Sequence, residues 1–130
     1  MTGIQPRTWR LEFPPRQKLL NMNDRLHFRA KAAITRQLRG DACWLARVWK
    51  VPALRRARVD FIYEPPRRGR RDSDNWAPTV KALVDGIVDA GVLPDDDTKH
   101  LDGPYKHITD EPFPGGRVVL IITELPEEIE

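Results

Sequence analysis

Twelve prolines divide this 130-residue chain. Each removes a backbone donor and fixes φ, so neither a helix interior nor a central strand runs through one. The intervals between them bound the elements the chain can form. Pro14-Pro15 closes the segment Thr8–Phe13, in which Trp9, Leu11 and Phe13 alternate onto one face, and this predicts a strand. A polar connection follows through Asn21-Met22-Asn23. No proline intervenes from Ala30 to Trp49, where Ala33, Ile34, Leu38, Ala42, Leu45, Ala46 and Trp49 recur at helical spacing; this predicts a helix, weakened at Gly40. Pro52 breaks it. Ala57–Tyr63 alternates again, with Val59, Phe61 and Tyr63 on one face, and Glu64-Pro65-Pro66 ends that second strand. Residues 76–90 predict a second helix, with Trp76, Val80, Leu83, Val84 and Ile87 on one arc. Asn75 as its N-cap puts Pro78 at the third helical position, whose N–H has no helical partner. Gly91 fits the C′ position. A third strand is predicted within Lys99–Ile108 and a last one over Arg117–Leu125, an apolar run.

The predicted order is β-α-β-α-β-β. It describes an α/β (α+β) fold in a single small domain, residues 1–130, with 1–7 and 126–130 as frayed tails. A small mixed sheet carries both helices packed on it. The length suits one core, and 40% hydrophobic with 32% charged residues is an ordinary globular balance. No apolar run approaches the ~20 residues that span a bilayer, and MTGIQPRTWR lacks the apolar core of a signal peptide. The expectation is a cytoplasmic protein with no membrane partner. Cys43 is the single cysteine and has no intrachain disulfide partner; between Ala42 and Trp44 it reads as a packed thiol. Trp9, Trp44 and Trp49 read as core residues.

The net charge of +3 decides little, but its distribution is informative. Arginine and lysine dominate residues 47–71 and acids dominate from 72 onward, so RRGRRDSDNW (67–76) joins a basic patch to an acidic one. Alternate residues of an extended segment share a side, so Asp72 and Asp74 converge, and two carboxylates there repel unless a cation lies between them. Mg²⁺ takes oxygen ligands of this kind. The plainer reading is an Asx-turn and helix cap built from Asp74 and Asn75. Asp95-Asp96-Asp97 alone reads as a solvated turn. A second helix of roughly 22 Å links the two acidic segments, and a third carboxylate returns to the first pair only if the strand after the triplet runs beside the strand ending at Tyr63. Lys81 sits at the edge of the second helix's apolar stripe, either to stabilise charge on a phosphate or to pair with Asp85 one turn on. His27, His100 and His107 form no site in sequence. There is no Ser/His/Asp order, Gly-rich phosphate loop or CxxC pair, which makes nucleophilic triads, nucleotide P-loops and structural zinc poor readings, and no nucleotide cofactor is expected. Arginines bind phosphates and carboxylates hold Mg²⁺ at the scissile one. Two such ions about 4 Å apart activate water and stabilise the departing oxygen. The chemistry predicted is metal-assisted phosphodiester hydrolysis.

RRDSDNWAPTVKALVDGIVDAGVLPDDD resembles the central segment of the RusA family, the crossover junction (Holliday junction) endodeoxyribonucleases. The shared pattern is a basic run, D-x-D-N, a helix with a lysine, a glycine turn and a D-D pair. An early strand ending in Pro-Pro (Leu11–Pro15) and Gly115-Gly116-Arg117 before a final strand are also similar. The resemblance implies a homodimer that binds four-way DNA junctions and cuts paired strands with Mg²⁺, or Mn²⁺ in its place, in recombination and repair. It implies Asp72, Asp74 and Asp96 as catalytic, metal-binding carboxylates, with Asp97 the alternative third ligand if the turn is one residue longer. Lys81 stands three residues beyond the family's lysine position, which falls on Pro78, and so about one helical turn further along. Arg67, Arg68, Arg70 and Arg71 are the implied DNA-binding residues. Two other functions remain open, a branched-DNA nuclease of broader specificity and a non-catalytic DNA-binding protein on a degenerate nuclease fold.

Overall fold

The computed structural model describes residues 6–69 and 73–126, the side chains at 73 and 74 excepted. Four strands form one mixed sheet: β1 (Thr8–Glu12), β2 (Ala57–Glu64), β3 (Leu101–Ile108) and β4 (Arg117–Glu124), ordered β1-β4-β2-β3. β4 pairs antiparallel with both β1 and β2, while β2 and β3 run parallel. Parallel neighbours need a crossover, and α2 (Ala77–Asp89) supplies it. α1 (Phe28–Val48) packs beside α2 on the same face of the sheet. The element order is the one the proline intervals predict.

Alternation builds the core. Leu11 and Phe13, then Val59, Phe61 and Tyr63, then Val118, Leu120 and Ile122 all face the helices and are buried. Val80, Leu83, Val84 and Ile87 of α2 and Leu38, Ala42 and Ala46 of α1 meet them. α1 runs unbroken through Gly40, where a Cβ would meet nothing within 4 Å. Thr79, fully buried, accepts a hydrogen bond from the Leu20 N–H and donates one to the Leu20 carbonyl, both at 2.7 Å. This ties the β1–α1 connection to α2.

Three local expectations change. A 3₁₀ turn, Ser73–Trp76, precedes α2, so the N-cap is Trp76 and not Asn75. The Asn75 carbonyl instead accepts from the Met22 N–H at 2.8 Å. Trp44 and Trp49 are 63% and 58% exposed, because the buried stripe of α1 follows the small Ala42 and Ala46; only Trp9 packs partly against the core. At the N-terminal side, the Arg7 carbonyl accepts from the Glu124 N–H and its guanidinium pairs with the Glu124 carboxylate, so residue 7 continues the sheet. Residues 1–5 and 127–130 of the expected tails lie outside the described residues. Gly91 does end α2 as expected: at φ +82° it donates to Val88, and Val92 donates to Ile87.

On the face away from the helices, Arg58 donates twice to the Asp60 carboxylate, and His107 Nε2 lies 2.8 Å from Asp60 Oδ1. Partial burial pushes the Asp60 carboxyl up, but the bonds from Arg58 and His107 outweigh it and hold the group below its ordinary range. Its contribution is therefore fully present above about pH 4 and is lost as pH falls through the depressed value. Urea midpoints measured across acid pH should fall less steeply in Asp60→Asn than in the wild type; identical slopes would remove this role.

Candidate functional site

The parallel pairing of β2 with β3 meets the condition for the aspartate triplet to approach the acidic loop. α2 leaves that loop, and β3 begins after the triplet beside β2. Lys81 stands eight residues before the end of α2, roughly 12 Å along its axis. The segment after Gly91 folds back along the helix, and the long lysine side chain spans the remainder. Lys81 Nζ lies 2.8 Å from Asp96 Oδ2 and 2.9 Å from Asp85 Oδ1. The expected i+4 pair with Asp85 is thus formed, and the same ammonium also meets the triplet.

The three aspartates divide by role. Asp95 Oδ1 accepts from the Asp96 N–H at 2.8 Å, and Asp97 Oδ1 accepts from the His100 N–H at 3.2 Å. The Asp97 carbonyl also takes the His100 and Leu101 N–H groups, closing the turn into β3. Asp95 and Asp97 therefore build the turn, while Asp96 turns its carboxylate to Lys81. Hydrogen bonding and charge from Lys81 hold the Asp96 carboxyl below its usual range; bonds from Asp96 and Asp85 raise the Lys81 ammonium in turn. At neutral pH the pair is an anion and a cation. Its lysine side chain is 64% exposed, so it is open to a ligand and contributes little to stability.

Asp96 and Lys81 stand at the mouth of a crevice of about 170 Å³ between α2 and β3. Its walls are apolar: Ala77, Val80 and Val84 on the helix side, Leu101 and Pro104 on the strand side. Lys106 of β3 joins the two charged residues at the rim. Lys106 has no motif around it in the sequence, and only the parallel register that sets β3 against α2 brings it here. A larger open groove of about 620 Å³ lies between residues 14–18 and α1; within it Gln17 and Gln37 both donate to Asp41.

The other expected site residues are not brought to this cluster by the described structure. Arg70, Arg71 and Asp72 lie outside the described residues, as does the side chain of Asp74. Arg67 and Arg68 are exposed on the loop after β2, and the Arg68 guanidinium is 3.6 Å from the Glu111 carboxylate. Among the described residues no three His, Cys, Asp or Glu side chains gather as a metal-binding group. No helix among them is long and apolar enough to cross a membrane.

No protein-family model matches the chain. An uncharacterized protein of Xylella fastidiosa (strain Temecula1) is 32% identical to it over 123 residues, covering 91% of this chain and 78% of that protein. The two proteins belong to one family. A span of that length takes in the whole segment 67–97 wherever it begins, so both acidic segments and α2 fall within what this family shares in alignment.

Proposed function

We propose that this chain is a Mg²⁺-dependent endodeoxyribonuclease of RusA type that resolves four-way DNA junctions in the cytoplasm during recombination and repair. The observation that carries the reading is the contact between Lys81 and Asp96. Two residues fifteen positions apart, each picked out by the sequence pattern, meet at the mouth of one crevice. The proposed metal ligands are Asp72, Asp74 and Asp96. Their donor chemistry fits the ion, since all three offer hard carboxylate oxygens, and Lys81 keeps Asp96 anionic. Asp97 is set aside because its carboxylate closes the turn into β3. A bound Mg²⁺, or Mn²⁺ in its place, would supply Lewis-acid activation of the phosphodiester and of water. The chain's own groups do the rest. Lys81 fixes the Asp96 carboxylate and presents an exposed ammonium to a phosphate oxygen. Arg67, Arg68, Arg70 and Arg71 hold the DNA backbone without specifying its sequence. A homodimer would pair two such sites for symmetric cuts, and exposed Trp44, Val48 and Trp49 offer an apolar surface for it.

Cleavage of a four-way junction, a fork and a linear duplex with Mg²⁺ tests the assignment. The junction should be cut in preference, and equal cutting of all three would sink it. Junction affinity should also be steeply salt-dependent. With about six phosphates contacted, it should fall on the order of a thousandfold between low and moderate salt. A flat titration would remove the arginines from the interface.

A further inference from the structure

We infer that the crevice between α2 and β3 takes one unstacked nucleobase of the branched DNA strand, with Lys81 and Lys106 on an adjoining phosphate. This rests on the nuclease reading and adds a base-binding subsite to it. The volume of about 170 Å³ equals roughly six waters at about 30 Å³ each, room for one heterocycle-sized group. The opposed walls, Val80 and Val84 against Leu101 and Pro104, are apolar and suit the two faces of a flat ring. The rim is polar. Lys81 and Lys106 supply donors, matched to base-edge acceptors and a backbone phosphate rather than to an aliphatic ligand. β3 is an edge strand, so the mouth opens at the side of the sheet, where a DNA strand passes without moving an element. Gly103 also lines the strand side. Its φ is +109°, and a Cβ there would lie 2.8 Å from the Val59 carbonyl of β2, so the position takes no side chain. A branch point is also where a base is extruded at least cost, because its pairing and stacking are already interrupted. A base held here, beside the proposed scissile phosphate, would set which sequences are cut.

The test uses the full chain and four-way junctions carrying 2-aminopurine or an abasic residue, one position at a time, on either side of the cut. Without Mg²⁺, binding should raise 2-aminopurine fluorescence several-fold at one position. With Mg²⁺, an abasic residue at that same position should slow cleavage about tenfold, the order expected for one lost stacking contact. Ala77→Leu, at the half-exposed first residue of α2, narrows the crevice and should abolish both effects. Junctions cut with no bright position and full abasic tolerance would overturn the base site and leave the nuclease reading standing. A bright position that Ala77→Leu does not dim would equally overturn it. Brightening without cleavage would overturn the nuclease reading and keep the site, and failure to bind branched DNA would overturn both.

Discussion

Gly86→Ala is expected to destabilise the fold by about 2–3 kcal/mol, the range of core overpacking. In most helix interiors the same change gains about 1 kcal/mol, because alanine is the better helix former. The sign reverses here because α1 and α2 touch at this point. A Cβ on Gly86 would lie 2.3 Å from the Arg39 carbonyl oxygen and 2.7 Å from the Ala42 Cβ. Both obstacles belong to α1, one of them backbone, so relief requires the helices to separate and the layer of Leu38, Leu83 and Ile87 to loosen with them. Gly40→Ala is the matched control. It sits in α1 with nothing within 4 Å and should stabilise by about 0.5–1 kcal/mol. Urea denaturation of the two variants reads the difference directly, and a shift in the same direction for both would refute close helix contact at Gly86.

Under the proposed function, with Asp96 as a metal ligand, Asp96→Asn should lower junction cleavage by at least about a hundredfold, since even the outer partners of metal ligands are worth about 10–100-fold. Asn removes the charge that a hard cation requires while preserving the shape of the side chain. The fold should be unaffected, because the Asp96 side chain is 36% exposed and its partner Lys81 keeps Asp85. Asp97→Asn is the informative contrast. An amide oxygen still accepts from the His100 N–H, so both the turn and cleavage should survive within a few-fold. Single-turnover cleavage rates, with thermal melts of each variant, separate the cases. Equal losses at the two positions would mean that the third carboxylate is not assigned by the Lys81 contact.

Much of the architecture was legible in the chain because it is encoded locally. Prolines flank most elements, the exceptions being Pro78 in the first turn of α2 and Pro104 inside the edge strand β3. Alternation in Thr8–Phe13 and Ala57–Tyr63 and a 3.6-residue period in 76–90 announce which face is buried, and the sheet and helices form on those residues. Each of these signals needs only neighbours within a turn or a pleat. The N-cap of α2 departs from the local signal because of a distant contact. Asn75 has capping chemistry, but its carbonyl is taken by Met22, more than fifty residues earlier in the chain. The exposed Trp44 and Trp49 defeat a hydrophobicity argument because small residues at Ala42 and Ala46, suited to close helix contact, occupy the inward stripe instead.

The sequence by itself determined the element order, the alternating core and the candidate acidic residues on either side of α2. Whether those two acidic segments approach one another was left undetermined, since a triplet of aspartates looks the same in a solvated turn as in a site. Tertiary structure decided what the triplet meets: Lys81 of α2. The parallel register of β2 with β3 brings Asp96 to Lys81, turns Asp97 into a turn-former, and adds Lys106 and the α2–β3 crevice, which have no local signature. Secondary structure follows from forces between near neighbours. A site assembled across a crossover depends on how distant elements pack, and no stretch of sequence states that register.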